Sequence, residues 1–149
     1  MYNYQNIVKF IKKKFGDFEK VPLHEPKFIG NEKKYVLDTI DSTYVSSVGN
    51  YVNKLENITS KYLNTSMSIA TVNGTSALQV ALKIIGVKLG DEVITQSLTF
   101  IATANSIIYN GASPIFIDVD IDTMGLSPKA VEMFLEEYGE IRDDGCYNN

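Results

Sequence analysis

The spacing of apolar positions divides the chain into a helical first part and an alternating second part. Ile7, Val8, Phe10, Ile11 and Phe15 recur at helical spacing with lysines opposite, which predicts a helix over residues 4–15 ended by Gly16 and Asp17. Residues 21–28 contain two prolines and read as an extended arm. Val36, Leu37 and Ile40 predict a helix over residues 31–42. A third helix, over residues 51–63, is expected to turn Val52, Leu55, Ile58 and Tyr62 inward. Between these two helices, residues 43–50 form a hydroxyl-rich loop. Its composition fits a polar-ligand loop and a plain connector equally.

From Ser66 onward the period changes. Ile69, Ala70 and Val72 make a short, mostly apolar run with β-branched members, as expected of a strand covered on both faces. Asn73 and Gly74 break it into a turn. Thr75 or Ser76 is then expected to cap a helix whose apolar side is Ala77, Leu78, Ala81, Leu82 and Ile85. Residues 92–95 read as a second strand, and residues 96–100 lead into a helix carrying Ile101, Ala104, Ile107 and Ile108, stopped at Asn110-Gly111. Residues 114–119 read as a third strand. Ser127 caps a last helix with Pro128 at its first position, ending near Tyr138-Gly139. Residues 140–149 are polar and carry no clear element.

Strand and helix thus alternate three times. That order predicts the α/β class: a three-layer α/β/α sandwich whose mostly parallel strands are joined by right-handed crossovers. The division expected is residues 1–65 as helical segment and arm, and 66–149 as the first part of the α/β domain. Ligands of such sheets bind beyond the carboxyl ends of the strands, where the turn at residues 73–76, the segment 96–100 and Asp118 all fall. A turn with free N–H groups and two hydroxyls at a helix start suits an anion, phosphate above all. The same residues also fit an ordinary capped connection. No Gly-Lys-Ser/Thr follows, so this is not a P-loop, and Gly-x-Gly-x-x-Gly is missing.

Composition narrows the partners. The 149 residues are 44% hydrophobic, enough for a core, with a formal net charge of −4. No long basic run points to nucleic acid, no basic stripe to a membrane surface, and no apolar run is long enough to span a bilayer. Lys12, Lys13 and Lys14 read as the solvated face of a helix. The single cysteine, Cys146, has no partner for an internal disulfide, and the first residues lack a signal-peptide layout, which favours the cytoplasm. Under that reading the sequons at Asn57, Asn64 and Asn73 are without consequence. Cys146 has no His beside it and reads as a bystander. His24 is the single histidine, and a lone His is a weak metal signal.

The pieces Asn73-Gly-Thr-Ser-Ala-Leu78, Gly90-Asp-Glu-Val-Ile94, Thr99-Phe-Ile-Ala-Thr-Ala-Asn105, Gly111-Ala-Ser-Pro114 and Phe116-Ile-Asp-Val-Asp-Ile-Asp-Thr123 occur in one order and spacing. As a set they resemble the DegT/DnrJ/EryC1/StrS sugar aminotransferases, which use pyridoxal phosphate and act on nucleotide-linked keto-sugars. Residues 21–30 with the helix before them look closest to the branch making legionaminic-acid-type sugars. The resemblance implies that Gly74, Thr75 and Ser76 hold the cofactor phosphate and that Phe100 stacks on the pyridine ring. It implies Gln96 and Thr103 as polar neighbours of cofactor or substrate. His24, Glu25, Ser46 and Ser47 would line the sugar-nucleotide side.

The implied reaction moves an amino group, from glutamate, to the C4 keto group of a UDP- or GDP-linked 6-deoxy-hexose, in a homodimer with sites at the interface. The family's Schiff-base Lys and ring-nitrogen Asp lie after the last motif matched here, so no catalytic residue is assigned. Lys83 and Lys88 sit on or after the helix behind the turn, and Asp118 does not match the ring-nitrogen Asp. The expectation is therefore an N-terminal portion, inactive alone, with a binding or assembly module as its rival. A nucleotide-binding α/β module is a weaker alternative, because no acidic residue follows a Gly-rich fingerprint.

Overall fold

The computed structural model describes residues 4–16, 20–22 and 24–148, so Asp17 and Leu23 of the expectations above lie outside the described residues. The chain clusters into two compact units, Met1–Asn64 and Thr65–Asn149.

The first unit holds three helices, α1 (Gln5–Phe15), α2 (Glu32–Asp41) and α3 (Asn50–Leu63). Their positions follow the apolar spacing, but none contains a buried residue. Leu55 and Ile58, expected inward, are more than half exposed, and Tyr62 is almost fully so. Helical period alone sets which face is apolar; a covering element is needed to bury that face. What joins α2 to α3 is local: Tyr51 Oη donates to Asp38 Oδ2 at 3.1 Å, and the Tyr35 and Tyr51 rings meet at 5.3 Å between centroids.

The second unit contains α4 (Gly74–Ile84), β1 (Glu92–Gln96), α5 (Ile101–Ile108), β2 (Ser113–Ile117), α6 (Pro128–Tyr138), β3 (Gly139–Arg142) and β4 (Gly145–Asn148). β1 and β2 pair in parallel, Glu92 opposite Ser113 through Gln96 opposite Ile117, with α5 as the crossover. This is the α/β arrangement expected. The core lies where α5 meets these strands: Ala104, Ile107, Ala112 and Ile117 are buried, with Thr95 and Ser106 as buried polar members. Burying Ile107 contributes about 2 kcal/mol or somewhat more.

Three expectations need correction. The run at residues 69–72 is not a strand, and Ile69 and Val72 are largely exposed. A strand exists only by pairing, and neither β1 nor β2 pairs with this run. The third predicted strand stops at Ile117 rather than residue 119, because Asp118 turns the chain into a loop closed by an antiparallel bridge between Val119 and Leu126. The tail read as featureless forms the β3–β4 hairpin, helped by Arg142 lying 4.2 Å over the Tyr147 ring and by Tyr147 Oη donating to Asp144 at 2.8 Å. The last helix matches its expectation: Ser127 Oγ accepts from Ala130 N at 3.2 Å, with Pro128 next.

Candidate anion-binding site at the strand rim

The site is built from the start of α4 and the segments that follow β1 and β2. Asn73, not Thr75 or Ser76, caps α4. Its backbone is extended (φ −164°, ψ 171°) and its Oδ1 accepts the Ser76 N–H at 2.9 Å. The physical reason lies in reach. An N-cap side chain serves the N–H three residues on, and from position 73 that is Ser76, at the first bend of the helix. Asn just before the apolar period was a readable signal.

With Ser76 N–H engaged, the N–H groups of Gly74 and Thr75 are the orphan donors of the first turn; among the described residues no acceptor is placed on them. Thr75 and Ser76, which carry hydroxyls, are partly buried. A Cβ built on Gly74 would meet nothing within 4 Å, so nothing crowds the Cα of Gly74 on that side. No acidic residue stands in the first turn. Two N–H groups without an acceptor at a positive helix end, in a turn that carries two hydroxyl side chains, suit a phosphate-sized anion.

α5 holds this turn in place. The buried Ser106 hydroxyl lies 2.7 Å from Ala102 O and 3.1 Å from Thr75 O, sharing its proton between them. One turn later Asn110 Nδ2 donates to Gln79 O at 3.1 Å and to Ser106 O at 2.9 Å. Residue 75 against 106 and 79 against 110 advance together, so α4 and α5 run in the same direction, α5 starting just past the carboxyl end of β1. The face of α4 on α5 therefore carries Thr75 and Gln79. The stripe expected to pack leaves Leu78 44% and Ile85 75% exposed.

The remaining predicted residues of this unit lie on the same rim. Phe100 precedes α5 and is 78% exposed, so it is not core filler. Thr103 Oγ1 pairs with Thr99 Oγ1 at 2.9 Å. Gln96, at the end of β1, donates through Nε2 to Leu98 O at 2.5 Å and to Met124 O at 3.4 Å. That amide ties the loop after β1 to the loop after β2. His24, Glu25, Ser46 and Ser47 belong to the other unit and are exposed. Ser46 lines a cleft of about 1020 Å3 between α2 and α3 with Tyr35, Asp38, Tyr44 and Lys54, while the other three do not line it. Reading the sequence missed Asn73, Thr99, Ser106 and Asn110. Ser106 had no signal, since a Ser on a helix reads as its polar side, and Asn110 was read only as part of the stop after α5. Among the described residues no group of His, Cys, Asp and Glu is placed to hold a metal ion, and no helix is long and apolar enough to cross a membrane.

The profile of the DegT/DnrJ/EryC1/StrS aminotransferase family matches residues 26–140. GDP-perosamine synthase of Escherichia coli O157:H7 is 43% identical over 112 residues, covering 75% of this chain and 31% of that protein. Among solved structures, an aminotransferase from Psychrobacter cryohalolentis superposes with a TM-score of 0.67 at 33% identity, over 75% of this chain and 29% of its own. NtdA from Bacillus subtilis, solved with bound cofactor PMP, superposes with a TM-score of 0.64 at 28% identity, over 77% of this chain and 28% of its own. The chain thus spans about three tenths of the length of these relatives.

Proposed function

The chain belongs to the DegT/DnrJ/EryC1/StrS aminotransferase family, and from that premise we propose that it is part of a pyridoxal-phosphate-dependent sugar-nucleotide aminotransferase. The reaction assigned is transfer of an amino group from glutamate to the 4-keto carbon of a UDP- or GDP-linked 6-deoxy sugar. Its products would serve surface polysaccharide or nonulosonic acids of the legionaminic type. The proposed setting is the cytoplasm, and the proposed assembly a homodimer. The observation carrying this reading is the start of α4, where Asn73 takes the Ser76 N–H and leaves those of Gly74 and Thr75 without an acceptor among the described residues, in a first turn free of acidic residues. That donor set fits the cofactor's phosphate.

In this reading Gly74, Thr75 and Ser76 bind the phosphate, by N–H and hydroxyl donation to its oxygens. Phe100 presents an uncovered ring for stacking on a planar heterocycle. Thr103 and Gln96 hold the rim on which that ring sits. His24, Glu25, Ser46 and Ser47 are assigned to the sugar nucleotide. Pyridoxal phosphate, when bound, supplies the carbonyl that takes up the amino group and a ring that withdraws electrons from the reacting carbon. The chain's own part, on these residues, is binding and orientation.

No residue is assigned the covalent or the ring-nitrogen role. Lys83 stands nine residues past Gly74 on α4, roughly 13 Å along the helix axis from the phosphate turn. The 149 residues alone are therefore expected to bind the cofactor weakly and not to turn over. The test is to titrate the purified chain with pyridoxal phosphate, with pyridoxal, and with UDP or GDP, following absorbance and fluorescence, and to assay amino transfer from glutamate. Binding that requires the phosphate group, without turnover, is expected. Equal affinity for pyridoxal and its phosphate, or nucleotide binding with no response to either, would overturn the cofactor assignment. Clear turnover would overturn the claim of inactivity.

A further inference from the structure

We infer that Ser106 and Asn110 are positioning residues for the anion site: their hydrogen bonds to the Thr75 and Gln79 carbonyls fix the aim of the first turn of α4. The inference rests on the phosphate reading of that turn and extends it to residues that touch no ligand. Two observations set these bonds apart from ordinary helix packing. One donor lies in α5 and the other in the turn that ends it, and both reach backbone rather than side chain. The acceptors, Thr75 O and Gln79 O, are one helical turn apart and so lie on one stripe of α4.

A single bond between helices leaves rotation about it free. Two bonds in line along the axis remove both sliding and rotation. Slipping α4 by one residue would move it 1.5 Å along its axis and turn it by 100°, losing both partners. The N–H groups of Gly74 and Thr75 are rigid parts of that turn. Their direction relative to Phe100 is thus set by α5, the helix that Phe100 itself precedes.

Burial strengthens the first clamp. Ser106 is fully buried, and among the described residues its hydroxyl bonds to the Ala102 and Thr75 carbonyls alone. A side chain in that place must be small to let the helix backbones approach, and must donate to keep the Thr75 carbonyl satisfied on that side. Ser meets both demands, and Ala meets only the first. Asn110 forms the second clamp and also donates to Ser106 O, so the two positions act as a connected pair.

The test uses the full chain labelled with 15N and titrated with inorganic phosphate, reading the Gly74 and Thr75 amide shifts. Ser106→Ala and Asn110→Ala are compared with Ser127→Ala, which removes the cap of α6 and serves as a destabilised control away from the turn. Ser106→Ala is expected to weaken phosphate binding about fivefold, the equivalent of one ordinary hydrogen bond. Asn110→Ala should weaken it as well, and the Ser106→Ala, Asn110→Ala pair together should do so by less than the product of the two. Ser127→Ala should leave it unchanged at similar loss of stability. If phosphate moves neither amide in the unsubstituted chain, the phosphate reading itself fails. If it moves them there and both α5 variants bind as tightly, or the control weakens equally, the positioning inference fails while the site stands.

Discussion

Asn73 separates helix capping from anion binding, because its side chain does one and stands beside the other. Asn73→Ala removes the Oδ1 that accepts the Ser76 N–H at 2.9 Å. Loss of an Asn cap costs about 1 kcal/mol. The freed Ser76 N–H joins those of Gly74 and Thr75, so phosphate binding should stay within about twofold of the parent even as stability falls. Asn73→Asp does the opposite. The carboxylate keeps the cap and gains from the helix dipole, so stability holds or rises slightly. It also sets a negative charge beside the bound anion. At a separation of about 5 Å in a water-like dielectric, one charge against a phosphate dianion costs about 1.7 kcal/mol, or about 15-fold in affinity. At 1 M salt the screening length shrinks to about 3 Å, which cuts the penalty to under about twofold. The assay is urea unfolding for stability and phosphate titration by amide shifts at pH 8, at low and high salt. Equal phosphate affinity of Asn73→Asp and the parent at low salt would refute an anion site at this turn. Parallel loss of binding in Asn73→Ala and Asn73→Asp would refute the division of labour.

Gly111 has φ +80°, and a Cβ there would come within 3.2 Å of Leu89 Cα. Gly111→Ala is therefore expected to cost about 1–3 kcal/mol, read as a lower urea midpoint at constant slope; no change would show that the turn relaxes freely. Phe100→Ala should alter stability by less than about 0.5 kcal/mol, since the ring is 78% exposed, yet weaken pyridoxal phosphate binding while sparing inorganic phosphate. Tyr51 holds its proton more tightly than an ordinary tyrosine, through loss of solvent first and then its hydrogen bond to Asp38 and the charge of that carboxylate. A raised folded value means that its contribution is whole below the ordinary value of 10.0 and fades as pH climbs through the folded one. Asp38→Asn should move the Tyr51 midpoint down toward 10.0 in a 295 nm titration, and an unmoved midpoint would refute the pairing.

The parts legible in the sequence are those set by neighbours in the chain. Helices α1 to α6 stand within a residue or two of their apolar periods, because period and capping are local. Ser127 with Pro128 and the Asn110-Gly111 stop were readable for the same reason. What misled depends on partners distant in sequence. Residues 69–72 have strand chemistry, but a strand needs a neighbour to pair with, and composition cannot say who that is. The apolar stripe of α4 was correctly placed on the helix but only its Leu82 edge shares the packed face, because Ser106 and Asn110 draw the neighbouring line of Thr75 and Gln79 onto α5. In the hairpin of β3 and β4 the reverse occurred. Its polar residues hid the pairing, which rests on a cation over a ring and a Tyr–Asp hydrogen bond rather than on apolar alternation.

The rim also has a direction, which follows from where the helices begin. α4 and α5 start there without an acidic residue in their first turns. α6 starts there too, because Ser127 N donates to Asp118 O at 3.0 Å, bringing the helix back to the end of β2. The loop before α6 carries Asp118, Asp120 and Asp122, and Asp120 Oδ1 accepts the N–H groups of Asp122 and Thr123. Uncompensated helix dipoles therefore make the α4–α5 end positive, while carboxylates outweigh the dipole at the α6 end. An anion entering the rim meets attraction at one end and repulsion at the other. The sequence order of the motifs, Asn73-Gly-Thr-Ser first and the aspartates last, is what the fold turns into that gradient.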